Sequence, residues 1–167
     1  SCISVINGSV RRWPGDGVNL GNGGPTACRV EGVNAEGNSE GIVVNEGVVS
    51  RCTASGNAAT GMRGLNGVVF DACTARGNGG NGITASNSRL HLSHCTAMGG
   101  DNHAFNPGYP PGNGILVCPG ATAWLADCLV IGGSGHTIAG AAGLLNLGTT
   151  PVGLARTTLG GGFSAPT

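Results

Sequence analysis

Histidine, aspartate and aromatic side chains crowd one stretch of this chain. His91 and His94 precede a segment holding Asp101, His103, Phe105 and Tyr109, and Trp124 and His136 follow it. An imidazole near a carboxylate is the pairing that general acid–base chemistry uses. Asp101, His103, His94 and His136 are therefore the candidate catalytic group, and Tyr109, Phe105 and Trp124 the candidate binding residues. His91 and His94 lack the local spacing of a zinc motif, and no carboxylate cluster suits calcium. No metal and no cofactor is expected.

An internal repeat must position these residues. Cys52-Thr53-Ala54-Ser55-Gly56-Asn57, Cys73-Thr74-Ala75-Arg76-Gly77-Asn78 and Cys95-Thr96-Ala97-Met98-Gly99-Gly100 are three copies. A fourth begins at Val33 and a fifth at Cys128, with a period of about 20 residues that marks a solenoid. Relative to the Cys position, the residues five before, three before and two after are apolar or small in each copy, with polar residues between them. That is the period-2 alternation of strands with one buried face. The alternation breaks just before the Cys, so a tight bend falls there. A third strand follows each Gly-Asn turn, as in Gly41-Ile42-Val43-Val44 and Gly114-Ile115-Leu116-Val117. No segment carries an apolar stripe at helical spacing, and Gly recurs too often for helix interiors.

The expected fold is all-β: a right-handed parallel β-helix of about six three-strand rungs, each roughly 20–24 residues, over residues 1–142. One rung is lengthened by a loop over 99–113, and residues 143–167 read as a degenerate last rung with a C-terminal tail that packs on the solenoid or on a neighbouring chain. Cys52, Cys73, Cys95 and Cys128 share a column in which Val33 also stands, which marks it as buried and apolar. Rungs lie about 4.8 Å apart, so a disulfide within the column is allowed but not required. Cys2, Cys28 and Cys118 lie off the column and are better disulfide candidates. Asn38, Asn57 and Asn78 occupy one corner and are expected to stack and satisfy turn backbone.

Composition excludes several partners. Gly is 34 of 167 residues, yet 40% of the chain is hydrophobic, too much for a disordered linker. The net charge is zero and only 10% of residues are charged, which argues against nucleic acid and anionic membrane surfaces. No apolar run is long enough to span a membrane.

The aligned columns, the Asn corner and the Gly-Ile strand resemble the right-handed parallel β-helix superfamily, which includes pectate lyases and polygalacturonases. That resemblance covers roughly residues 3–142 and implies a polysaccharide lyase or glycoside hydrolase if the chain is an enzyme. Polygalacturonases use neighbouring aspartates as acid and base, and no adjacent Asp-Asp pair occurs here. Gly135-His136 is followed by Thr137 where that family has Gly. The reading leans away from an enzyme.

Exposed apolar columns ending in Trp124, Met98 and Ile131 suggest contacts. No cap is read before Ile3, and an uncovered coil edge invites another chain. The first expectation is thus a secreted or surface-exposed structural solenoid that self-associates, end to end into a fibre. The alternative is a carbohydrate-binding or carbohydrate-cleaving β-helix acting through the 99–113 loop.

Overall fold

The computed structural model describes residues 2–21, 27–87, 89–100, 112–133, 143–147, 152–160 and 163–164. Its strands are β1 (Ser4–Arg11), β2 (Val18–Leu20), β3 (Cys28–Glu36), β4 (Ile42–Ser50), β5 (Thr53–Ser55), β6 (Met62–Asp71), β7 (Thr74–Arg76), β8 (Ile83–Ala85) and β9 (Arg89–Ser93). They continue as β10 (Thr96–Met98), β11 (Ile115–Val117), β12 (Thr122–Ala126), β13 (Leu129–Ile131), β14 (Leu144–Asn146), β15 (Val152–Ala155), β16 (Thr158–Gly160) and β17 (Phe163–Ser164). No helix occurs among the described residues, and no helix is long and apolar enough to cross a membrane.

Every pairing is parallel and joins equivalent residues of successive coils. Three apolar columns result. Val30, Val49, Phe70, Leu92 and Leu125 stack on one wall. Ala35, Ala54, Ala75, Ala97 and Val130 stack on the second. Ile42, Met62, Ile83, Ile115 and Leu144 stack on the third. All are buried. The small residues of the second wall leave room for Phe70 and the leucines opposite. β14 closes the sixth coil, and β15, β16 and β17 pair in register with β12, β13 and β14 to begin a seventh.

The chain turns its first corner on a left-handed residue in each coil: Asn7, Gly32, Arg51, Ala72, His94, Asp127 and Arg156, with φ between 43° and 61°. Only one of these is glycine, although left-handed backbone costs other residues about 1–2 kcal/mol. The cysteine column lies immediately after this bend and helps to hold it. Cys52, Cys73, Cys95 and Cys128 donate from Sγ to the carbonyls of Ser50, Asp71, Ser93 and Ala126 at 3.2–3.3 Å. In the last coil Thr157 takes the same place and donates Oγ1 to Ala155 O at 3.0 Å. Hydrogen bonding to neighbouring thiols and burial both hold the Cys73 and Cys128 thiols above the ordinary range, so they remain protonated donors.

Glycine makes the second corner, at Gly37, Gly56 and Gly77. The asparagines that follow form a ladder. Asn57 Oδ1 accepts from Asn38 N at 2.9 Å, Asn78 Oδ1 accepts from Asn57 N at 3.1 Å, and Asn57 Nδ2 donates to Ala35 O at 3.2 Å. The ladder stops where the long excursion begins. There Gly100 passes so close to Asn78 that a Cβ would lie 1.4 Å from its carbonyl oxygen. Gly112 N returns to donate to Gly100 O at 2.8 Å, so the excursion leaves and re-enters at one point.

Replacing Asn57 by Ala would leave Asn38 N and Ala35 O buried without these partners. The expected loss is about 2–4 kcal/mol, read as a fall in urea midpoint. Gly56→Ala meets no atom closer than Gly37 N at 3.9 Å, so it should cost only the left-handed penalty of about 1–2 kcal/mol. A smaller loss for Asn57→Ala than for Gly56→Ala would contradict the role given to the ladder.

Candidate functional site

One wall of the tube presents a flat outer face built from β3, β4, β6, β9, β12 and β15. Register places Arg29, Val48, Val69, His91, Trp124 and Gly153 in one outward column. Beside it runs a second column, Glu31, Ser50, Asp71, Ser93, Ala126 and Ala155, followed by the first-corner residues.

Polar groups along the corner join from coil to coil. Glu31 is buried and pairs with both Arg29 and Arg51. Asp71 Oδ1 accepts from Ser93 Oγ at 2.6 Å and lies 3.3 Å from His94 Nδ1. His94 Nε2 is 4.0 Å from Asp127 Oδ2, and Arg156 grips Asp127 through Nε and Nη2 at 2.6 and 2.7 Å. The left-handed corner makes this line possible: it turns His94, Asp127 and Arg156 outward on successive coils, and Arg51 two coils before His94.

Hydrogen bonds from Ser93 and His94 hold the Asp71 carboxyl below its ordinary value, and the Arg156 guanidinium does the same for Asp127. Both carboxyls are ionised at neutral pH, so neither is suited to act as a general acid. Glu40 behaves differently. Burial raises its carboxyl against the opposing pull of Arg63, and it lines a separate polar depression of about 380 Å³ with Asp16, Asn19 and Ser39 on another side of the tube.

Two depressions lie on the flat face. The first, about 580 Å³, is lined by Arg29, Glu31, Val48, Ser50, Arg51 and Asp71 among others. The second, about 330 Å³, is lined by Leu90, His91, Thr122, Trp124, Val152 and Gly153 among others. Between them the column is open at Val69 and His91. Trp124 is 50% exposed. Its six-membered ring fills the place a side chain at residue 153 would take: a Cβ on Gly153 would lie 1.9 Å from Trp124 Cε3. The indole is thus laid along the tube over the next coil, a flat apolar plate beside His91 and Thr122.

Of the expected catalytic group, His94 stands on this corner between Asp71 and Asp127, while Asp101, His103 and His136 lie outside the described residues. Of the binding candidates Trp124 is on the face, and Tyr109 and Phe105 also lie outside the described residues. Asp71, Asp127, Glu31 and Arg51 join the site although none is among the expected catalytic or binding residues; the nearness of Arg51 to Asp71 in the repeat reads from sequence only as a solvated charge column. The signal for them was positional, since Asp71, Ser93 and Ser50 occupy equivalent places one period apart. No disulfide joins any two of the seven cysteines in the structure. Among the described residues no group of three His, Cys, Asp or Glu side chains is arranged to hold a metal ion.

A family model described as the right handed beta helix region matches residues 1–151, and the chain belongs to that family. No curated protein and no solved structure matches it.

The paired carboxylates carry a pH signature. Their folded pKa values lie below the unfolded value near 3.9, so their contribution to stability is complete above about pH 4 and disappears as pH falls through the lower folded values. Asp127→Asn is expected to reduce stability more at pH 7 than at pH 3 in urea titrations. Equal losses at both pH values would show that the charge on Asp127 contributes nothing.

Proposed function

We propose that this β-helix is a secreted or surface-exposed protein that binds an extended carbohydrate along the outer face of β3, β4, β6, β9, β12 and β15. The placement of Trp124 carries the reading. A half-exposed indole on a flat sheet suits the apolar C–H face of a pyranose, because the ring face is electron-rich and amphipathic partners stack on it. Thr122 and His91 line the depression beside the plate and offer hydrogen-bonding groups to sugar hydroxyls. Successive coils stand about 4.8 Å apart, close to the length of one sugar unit in an extended chain. A linear polymer lying along the axis would therefore present about one sugar unit to each coil.

A second reading, self-association, draws on the same column. Val48, Val69 and Trp124 are 43%, 39% and 50% exposed, and a row of apolar side chains on a flat face also suits a second copy of the chain. Both the side-by-side form and the end-to-end fibre are structural roles that need no ligand.

Calorimetry against neutral and uronate-rich oligosaccharides distinguishes the readings. Trp124→Ala should weaken binding at least tenfold. Gly153→Ala, which keeps the indole but displaces it, should weaken binding in the same direction. Unchanged affinity in both variants would reject the carbohydrate reading. An assembly that Trp124→Ala dissociates in sedimentation velocity, with no oligosaccharide bound by the parent, would select self-association instead.

A further inference from the structure

We infer that the cysteine column inside the tube is a binding site for a soft metal ion, cuprous ion, held in line between two sulfurs of neighbouring coils. Cys52, Cys73, Cys95 and Cys128 stand one over another, because Thr74 N, Thr96 N and Leu129 N donate to the carbonyls of Cys52, Cys73 and Cys95. The sulfurs repeat as regularly as the backbone. Each donates to the carbonyl two residues earlier at 3.2–3.3 Å. Those of Cys52, Cys73 and Cys95 also lie 3.4–3.6 Å from the carbonyl oxygens of Val30, Val49 and Phe70 in the coil before. Equal surroundings hold equal rotamers, so neighbouring sulfurs stand one coil spacing apart, about 4.8 Å. A metal–thiolate bond is about 2.3 Å long, so two in line span about 4.6 Å. The spacing of the coils and the span of the ion agree.

The straight line decides which ion fits. Donors in a row cannot surround a centre, so zinc, which takes four ligands in a tetrahedron, finds no place. For the same reason no three metal-ligating side chains converge among the described residues. Cuprous ion is soft, selects thiolate, and is satisfied by two sulfurs on opposite sides. When each sulfur serves one ion, Cys52 pairs with Cys73 and Cys95 with Cys128.

The thiolate is the ligand form, and the column is built to carry it. Val33 N donates to Cys52 Sγ at 3.4 Å, and the amides of Cys52, Cys73 and Cys95 donate likewise to the sulfurs of Cys73, Cys95 and Cys128. Hydrogen bonds from Cys73 lower the Cys52 thiol, and those from Cys128 and Cys73 lower the Cys95 thiol. Each pair thus joins a sulfur that gives up its proton readily to one that holds it. On binding, one cuprous ion enters, two metal–sulfur bonds form and two thiol protons leave to solvent; nothing is oxidised or reduced. The cysteines are buried, yet Arg51, Ala72 and His94 just before them are exposed, so a single residue of the bend separates the column from water. The inference is independent of what the outer face binds.

The test titrates the whole reduced chain with cuprous ion, in the absence of oxygen, against a colorimetric chelator. Cys2→Ser and Cys118→Ser silence the thiols outside the core. Two ions should bind per chain, protons should be released, and X-ray absorption should show two sulfurs around each ion at about 2.3 Å. Zinc should not displace them. Cys73→Val combined with Cys95→Val leaves Cys52 and Cys128 three spacings apart, about 14 Å, and should abolish binding. Val33 already stands buried in this column, so valine suits the core. No binding by the folded protein, three or four sulfurs around each ion, or undiminished binding after the double valine substitution would overturn the inference. Should that variant fail to fold, the sulfur count around the ion in the chain with an intact column still decides.

Discussion

Each strand residue of this chain must stand over its equivalent in the next coil, because the backbone hydrogen bonds of the strands run between coils. In a parallel ladder the partner of every strand residue is one period away. A coil that bent one residue early would shift all later pairs and turn its apolar side chains outward. The corners therefore have to recur at fixed positions. That requirement accounts for the left-handed residue in every coil, and for non-glycine residues accepting the strain there.

The buried polar side chains serve that requirement. Carbonyls at the first bend accept from sulfur in four coils and from a threonine hydroxyl in the last. Amides at the second corner donate to asparagine oxygens. Each bond is modest, yet an unpaired buried amide or carbonyl would cost about 1–3 kcal/mol, and the cost would repeat in every coil. Cysteine suits the first position because it is small, apolar enough for the core and still a weak donor.

The same register builds the outer face. Residues distant in sequence meet across coils: His94, Asp127 and Arg156 share the corner position on successive coils, and Asp71, one place before that corner, reaches His94 from the coil before. The corner that satisfies the fold also turns charged side chains toward solvent in a line. Trp124 lies down because the position below it is Gly153, which has no side chain to hold the ring upright.

The alternation of apolar and polar residues, repeated at one period, was enough to read the three walls, the stacked cysteines and the asparagine corner, because those features depend only on which residues share a column. The bend before each cysteine was visible as a break in the alternation. Its left-handed conformation was not, since Arg51, Ala72, His94 and Asp127 carry no glycine-like mark. Nor did the chain reveal that His94 would face Asp71 and Asp127, or that Gly153 would underlie an indole. Those outcomes depend on the exact number of residues at each corner and on where each side chain points. Columns follow from periodicity alone, whereas contacts between coils need the coordinates that only the wound chain possesses.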